Sequence, residues 1–285
     1  MGLKAKIIEK KNNIYYYLTH PRVVKFTAIS ATIVWISSVA LAILIGQLDP
    51  AGPSHDPAGF NILINYISDL GNLDLTPMPI IIDFGMMQTS ILMVPPAYYL
   101  KKVLKGDGTK ILRKILSNLT LICMLIAMCG LFLTGVISED VGERLDSIIG
   151  PPIPNYYWHD IVADFAFIFF MVSGILVASQ FIIFPDILED QIGLKRTLTA
   201  RILLAINTWI LTPIFFGFFY TVPYLWYTDA FWNDLPLWQW APFWEWLLMF
   251  SLSAWILVVM NLMLVKKLNR ELSPYFLKEN MNKNI

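Results

Sequence analysis

Six long apolar runs dominate the chain, and a polar segment separates each run from the next. A helix that crosses the hydrocarbon core of a bilayer needs about 20 predominantly apolar residues, and every run is close to or above that length. Because backbone N–H and C=O groups cannot stay unpaired in lipid, these runs must be helical. The sequence therefore predicts an all-α fold, a polytopic six-helix transmembrane bundle. The expected spans are residues 26–46, 79–100, 115–138, 161–185, 202–223 and 246–265.

Three prolines lie inside the predicted spans: Pro95, Pro96 and Pro213. A proline in a helix interior lacks the N–H group and clashes with the preceding turn. We therefore expect a kink or an early helix end at both places. A basic segment, residues 1–25, precedes the six-span domain 26–265, and a second basic segment, residues 266–285, follows it.

The composition supports a membrane protein and excludes several other classes. Of the 285 residues, 56% are hydrophobic and only 15% are charged, and the mean hydropathy is +0.59. Soluble domains have nearer ~45–50% apolar and ~25% charged residues. These values argue against a disordered chain, a nucleic-acid-binding protein and an ordinary soluble enzyme.

The distribution of Lys and Arg predicts the orientation of the bundle. Of the 21 basic residues, 20 lie on the side that carries both termini, and Arg144 is the exception. Positively charged loops stay on the cytosolic side of a membrane. We therefore expect both termini to be cytosolic and the protein to reside in the plasma membrane.

Acidic residues mark the opposite side, and two of them fall inside predicted spans. At 1.5 Å of rise per residue, Asp83 and Asp164 lie about 6 Å below the point where their spans enter the membrane. Intramembrane acids usually face the bundle interior or a water-filled cavity, and they are functional candidates. Asp160 and Asp164 are one helical turn apart, where like charges repel. Asp160 and His159 are also compatible with a purely local role at the helix start.

The segment between the first two spans is long for a connection without structure of its own. Its middle, Asn61 to Gly71, alternates apolar and polar residues and ends in glycine. This pattern predicts a short amphipathic helix with Gly71 as its C-cap. Asp69 and Ser68 would then face a polar opening or bind loop backbone.

Two short motifs resemble a known family. The string Asn65-Tyr-Ile-Ser-Asp-Leu-Gly71 follows the first span, and Trp158-His-Asp-Ile-Val-Ala-Asp-Phe-Ala-Phe167 opens the fourth. With six spans, the chain resembles the domain-of-unknown-function 998 family and is more distantly similar to the Frag/DRAM/Sfk-like group. The latter includes proteins linked to glycolipid-anchor remodelling and to phosphoinositide and autophagy regulation. By position, the resemblance implies roles for Ser68, Asp69, Gly71, His159 and Asp160.

Three functions are compatible with the sequence. The first is an extracytosolic-facing polar pocket that binds or remodels a lipid or amphiphile; if enzymatic, the reaction would be lipid acyl transfer or hydrolysis with His159 as base. The second is a small proton-coupled transporter that uses Asp83 and Asp164. The third is a structural or regulatory membrane protein.

We assign no catalytic residue and expect neither a metal nor a cofactor. The expected partners are membrane lipids, and we expect no binding to nucleic acid. The sequence does not define the oligomeric state. The candidate ligand-binding residues are Ser68, Asp69, Asp83, Glu139, His159, Asp160 and Asp164.

The orientation can be tested by cysteine labelling. In a Cys-free background, single cysteines at Ser54, Ser147 and Asn233 should react with an impermeant thiol reagent in intact cells, because these positions lie on the base-poor side. Cysteines at Asn12, Thr109 and Asn282 should react only after permeabilisation. Labelling of Thr109→Cys from outside would contradict the six-span topology.

Overall fold

The described part of the protein is a bundle of α-helices. The computed structural model describes residues 3–48, 60, 65–73, 75–106, 110–153, 157–187, 194–226 and 241–260. The helices are α1 Leu3–Leu18, α2 Pro21–Leu48, α3 Ile80–Leu92, α4 Val94–Lys105, α5 Ile111–Val136, α6 Glu139–Ile149, α7 Trp158–Ile183, α8 Leu194–Ala205, α9 Thr212–Trp226 and α10 Ala241–Leu257.

Among the described residues, six helical segments are long and apolar enough to cross a membrane, which confirms the predicted six-span fold. They are Pro21–Leu48, Ile80–Lys105, Ile111–Val136, Trp158–Ile183, Leu198–Thr221 and Ala241–Met260. Helix α2 ends, and α7 and α10 begin, at one end of the bundle. We call this end the acidic end. The other end, which carries α1 and the α4–α5 connection, is the basic end.

The prolines interrupt the second and fifth spans as expected. In the second span, α3 ends at Leu92 and α4 begins at Val94, so Pro95 and Pro96 occupy the first turn of α4, where a missing N–H is tolerated. In the fifth span, a π-helical segment, Ile206–Leu211, precedes Pro213. There the Thr212 N–H bonds Asn207 C=O, five residues back. The wider turn accommodates a residue that cannot continue the α-helical ladder.

The loop between the first two spans differs from the prediction. Instead of a helix ending at Gly71, a single 3-10 turn, Ser68–Gly71, is followed by Asn72 in extended conformation. Residues 61–64, the start of the predicted helix, lie outside the described residues. Gly71 is required by space and not by a left-handed conformation, because a Cβ there would lie 3.0 Å from Asp83 Oδ1.

Helices α5 and α7 pack closely together at Gly130. A Cβ at Gly130 would lie 2.7 Å from the backbone nitrogen of Ala166 and 3.0 Å from the carbonyl oxygen of Val162. Helices in lipid gain little hydrophobic free energy from association, so close backbone approach at small residues provides the packing energy. The α5–α7 contact positions the first turn of α7, where His159 lies.

The basic end is held by a buried arginine. Arg113 is 6% exposed. Its guanidinium donates to the carbonyl oxygens of Leu104 and Val103 and pairs with Asp186, while it lies over the Phe184 ring. These bonds tie the end of α4 and the start of α5 to the segment that follows α7. From the sequence, Arg113 was recognised only as one of the 20 basic residues that predict the orientation of the bundle.

Gly130→Ala should destabilise the bundle, because the added methyl group meets backbone atoms that cannot rotate away. Overpacking of this kind costs roughly 1–3 kcal/mol, which corresponds to a fall of several degrees in the thermal midpoint. Gly217→Ala is the matched control, since no atom lies within 4 Å of the added carbon and alanine favours helix. Equal midpoints for the two variants, measured by differential scanning fluorimetry in detergent, would contradict the α5–α7 contact.

Candidate functional site

The loop of residues 65–73, which we call loop 65–73, folds over the acidic end of the bundle. Its apolar side chains Ile67 and Leu70 are buried in a cluster with Phe60, Ile82 and Trp246. The Trp246 indole N–H donates to the carbonyl oxygen of Asn65 at 3.0 Å. The loop is therefore a packed part of the bundle, as the buried apolar positions of the sequence predict.

Glu245 in the first turns of α10 anchors this loop from below. Its Oε2 accepts the Ile67 N–H at 2.7 Å, and the side chain is only 4% exposed. The sequence analysis did not select Glu245, because the sixth span was predicted to begin one residue later, at Trp246. The signal that could have found it is its position between Trp244 and Trp246, inside an apolar run.

Asp69 binds the backbone of its own loop. Its Oδ2 accepts the Tyr66 N–H at 2.8 Å, and the carboxyl group also interacts with the side chains of Asn65 and Glu139. The side chain is 7% exposed. Asp69 was expected either to face a polar opening or to bind loop backbone, and these hydrogen bonds correspond to the second role.

Asp69 and Glu139 form a buried carboxyl pair outside the membrane-spanning segments. Burial raises the pKa of Asp69 to about 6, against the opposing effect of its hydrogen bonds. Burial and the nearby charges of Asp69, Glu143 and Glu245 raise the pKa of Glu139 to about 8. Two adjacent carboxyl groups cannot both ionise cheaply, so the pair retains a proton at neutral pH.

His159, the second residue of α7, is fixed by one bond and leaves one nitrogen unused. Its Nδ1 lies 2.7 Å from the carbonyl oxygen of Ile137. A carbonyl can only accept, so Nδ1 carries a proton and Nε2 of the neutral ring is an acceptor. Among the described residues, Nε2 is buried without a hydrogen-bond partner. The ring is 6% exposed.

Asp160 has the local role that the sequence analysis weighed for it. Its Oδ2 accepts the Tyr157 N–H at 3.0 Å, so the side chain caps the start of α7. Asp164 lies one turn further into the membrane and is partly buried.

Asp83 on α3 lies beneath loop 65–73, on the side of Gly71. A Cβ at Gly71 would meet the Oδ1 atom of Asp83, and that atom has no hydrogen-bond partner among the described residues. Nearby Asp140 on α6 accepts the Leu73 N–H at 3.1 Å. Asp83 and Asp140 therefore support the loop from two further elements.

A small cavity lies beneath loop 65–73, and we call it the polar cavity because a few polar side chains interrupt its mostly apolar lining. Its volume is about 50 Å³, and the polar side chains that line it are Ser68, Thr134, His159 and Glu245. The Thr134 hydroxyl group already donates to the Gly130 carbonyl. Of the sequence-predicted candidates, the structure brings Ser68 and His159 together here; Asp69, Asp83, Glu139, Asp160 and Asp164 are not among its lining residues. The polar cavity therefore offers one neutral imidazole, one buried carboxyl group and one hydroxyl group.

A second, apolar cavity lies next to the polar one, further into the bundle. Its volume is about 80 Å³, and it runs between α2, α7 and α10. The two cavities have five lining residues in common: Trp35, Leu131, Ala166, Phe167 and Met249. Only the hydroxyl groups of Thr32, Thr89 and Ser253 and the Trp35 indole N–H interrupt its apolar lining.

The described residues contain no group of three His, Cys, Asp or Glu side chains placed to hold a metal ion. The polar side chains of the cavity, His159, Glu245 and Ser68, are capable of hydrogen bonding and proton transfer.

The carboxyl pair makes stability dependent on pH. Both pKa values are raised in the folded state, so the pair stabilises the fold at acidic pH, and this contribution is lost as pH rises through about 6 and about 8. We expect the thermal midpoint to fall by several degrees between pH 5 and pH 9. Glu139→Gln should flatten the profile, whereas Glu9→Gln on the exposed face of α1 should leave it unchanged. A Glu139→Gln profile as steep as that of the wild type would contradict the assignment.

The comparisons with known proteins give a family without an assigned activity. No curated protein and no solved structure matches the chain. The model of one family, described as "Protein of unknown function (DUF998)", matches residues 39–261. This range begins in α2, includes loop 65–73 and the start of α7, and extends just beyond the described part of the last span. With most of its length matched, the chain belongs to the DUF998 family of membrane proteins.

Proposed function

We propose that the protein binds a single-chain amphiphile, with the polar headgroup in the polar cavity and the tail in the apolar cavity. The observation that carries this proposal is that the two cavities lie side by side and share part of their wall. They have lining residues in common, yet one contains His159 and Glu245 while the other is almost entirely apolar. A binding site for an amphiphile needs this division, because each part of the ligand must meet its own kind of surface.

The depth of the polar cavity supports the same assignment. His159 and Glu245 belong to the first turns of α7 and α10, so they lie near the membrane surface, at headgroup level. Carrier substrates usually bind near the bilayer midplane. The distribution of Lys and Arg favours an extracytosolic position for this end and the plasma membrane as its location.

Entry from the lipid is expected between α2 and α10. Thr32 and Trp35 on α2 and Ser253 and Ile256 on α10 line the apolar cavity and are only partly buried. The Trp35 indole N–H donates to Ser253 Oγ at 3.3 Å, which joins the two helices across this opening. Breaking this bond would help to open the gap between the two helices for a tail.

The transporter alternative has less support. Polar side chains that would continue a path toward the basic end form hydrogen bonds to neighbouring helices, although the buried Gln180 Oε1 has no partner among the described residues. Gln180 donates to Thr120 at 2.9 Å, and Asn207 exchanges hydrogen bonds with Ser251. These contacts join neighbouring helices, which is the usual use of amide side chains in membranes. Asp83 and Asp164 are not among the residues that line either cavity.

Photo-cross-linking tests the proposal. Three probes with the same dodecyl chain, a mid-chain diazirine and an amine, hydroxyl or carboxylate head would be added to the protein in nanodiscs. We expect at least one probe to label peptides of α2 and α10 that line the apolar cavity. Ala31→Leu should reduce this labelling at least fivefold, because Ala31 lines the cavity and its added side chain occupies the tail position.

Ala40→Leu is the matched control, since Ala40 lies on the same helix and is exposed. It should label like the wild type. Adducts spread over the lipid-facing side chains, with no probe sensitive to Ala31→Leu, would overturn the proposal.

A further inference from the structure

Two side chains that line the polar cavity, His159 and Glu245, offer hydrogen-bond acceptors. The bond from Nδ1 of His159 to the Ile137 carbonyl fixes the tautomer, so Nε2 presents a lone pair. This atom is fully buried, and no described residue donates to it. A buried polar atom without a hydrogen-bond partner destabilises the structure that contains it. A ligand that brings an N–H or O–H donor removes this destabilisation.

Glu245 adds a second acceptor and places it among like charges. One oxygen of its carboxyl group accepts the Ile67 N–H. The charged groups that act on Glu245 are all acidic: Asp69, Asp160 and Asp164. In the part of the chain that the structure describes, the acidic end has a single basic side chain, Arg144, which is exposed on α6. No described protein cation therefore neutralises Glu245.

We propose that the headgroup is a protonated primary or secondary amine, which donates to His159 Nε2 and pairs with the Glu245 carboxylate. This inference rests on the proposed function and specifies its ligand class. An ammonium group has up to three N–H donors and no lone pair, so it complements both acceptors at once. It also supplies the cation that a buried carboxylate requires.

The other common headgroups fit less well. A phosphate or carboxylate head brings negative charge and lone pairs to a place that already has both, and like charges in a medium of low polarity repel strongly. A hydroxyl head donates one hydrogen bond but leaves Glu245 without a counter-charge. A trimethylammonium head brings the charge without an N–H donor, so it separates the effect of charge from that of hydrogen bonding.

Competition between headgroups tests the inference. The diazirine-bearing probe that labels most strongly would be displaced from wild-type protein in nanodiscs by unlabelled amphiphiles with one dodecyl chain. We expect dodecylamine to displace it at a concentration at least tenfold lower than dodecanol or laurate requires. Dodecyltrimethylammonium should fall between dodecylamine and dodecanol.

Two variants assign the preference to the named side chains. Glu245→Gln retains an oxygen for the Ile67 N–H and should reduce the amine-to-alcohol preference to less than threefold. His159→Asn keeps a donor for the Ile137 carbonyl, removes the Nε2 acceptor, and should reduce the preference in the same direction. Glu143→Gln, which removes one exposed negative charge at the same end, should keep the wild-type preference. Each variant is compared only if it elutes as a single species with a thermal midpoint near that of the wild type.

The outcomes separate the two proposals. If dodecanol or laurate competes as well as dodecylamine, the amine inference is wrong and amphiphile binding stands. If no probe labels the cavity and no competitor acts, both proposals fail. An amine preference that persists unchanged in both Glu245→Gln and His159→Asn would also overturn the inference, because the preference would then arise elsewhere.

Discussion

The acidic end of the bundle depends on one constraint: loop 65–73 is irregular backbone that is buried at the edge of a membrane. Such backbone is tolerated only where protein groups satisfy its N–H donors. Here three carboxyl groups from three separate elements provide the acceptors. The pairs are Tyr66 with Asp69, Ile67 with Glu245, and Leu73 with Asp140. Several acidic residues at this end therefore hold the loop in place.

The two ends of the bundle balance charge in different ways. At the basic end, Arg113 satisfies backbone carbonyl groups and is itself paired with Asp186. At the acidic end, carboxyl groups satisfy backbone N–H donors, but among the described residues no buried Lys or Arg lies beside them. Burial of uncompensated carboxylates is costly, and the Asp69–Glu139 pair avoids this cost by retaining a proton. Proton retention by this acid pair does not satisfy His159 Nε2, because that nitrogen needs a hydrogen-bond donor of its own.

The sequence predicted the spans well, because hydrophobic length is a local property that a bilayer enforces. The prolines likewise located the break at Met93, since their missing N–H acts wherever they occur. Glu245 was missed for a related reason: it lies at the boundary of an apolar run, where hydropathy gives no sharp limit. The bond between His159 and Ile137, and the joint presence of Ser68, His159 and Glu245 in one cavity, depend on how α5, α7 and α10 pack. No local pattern contains that information.

Gly71 was correctly expected to lie at the end of a turn of helix, but the predicted cause, a helix C-cap, was wrong. A glycine after an amphipathic stretch is typical of a helix C-cap, but here the chain ends a 3-10 turn, and the neighbouring residue is extended. The requirement comes from Asp83, which lies too close for a side chain at residue 71. The motif that resembles the family is thus maintained in this protein by a contact between a loop and the second span.

The two cavities follow from the way helices associate in lipid. Association there depends on packing, because lipid chains are as apolar as the helix surfaces. Where small residues such as Ala28 and Ala31 line a gap between α2 and α10, contacts are lost unless an apolar group fills it. In the neighbouring polar cavity, filling requires a hydrogen-bond donor, since the Nε2 of His159 accepts and Glu245 carries acid oxygens. A molecule that is apolar at one end and donates hydrogen bonds at the other satisfies both demands, and this complementarity is the physical basis for assigning an amphiphile to the site.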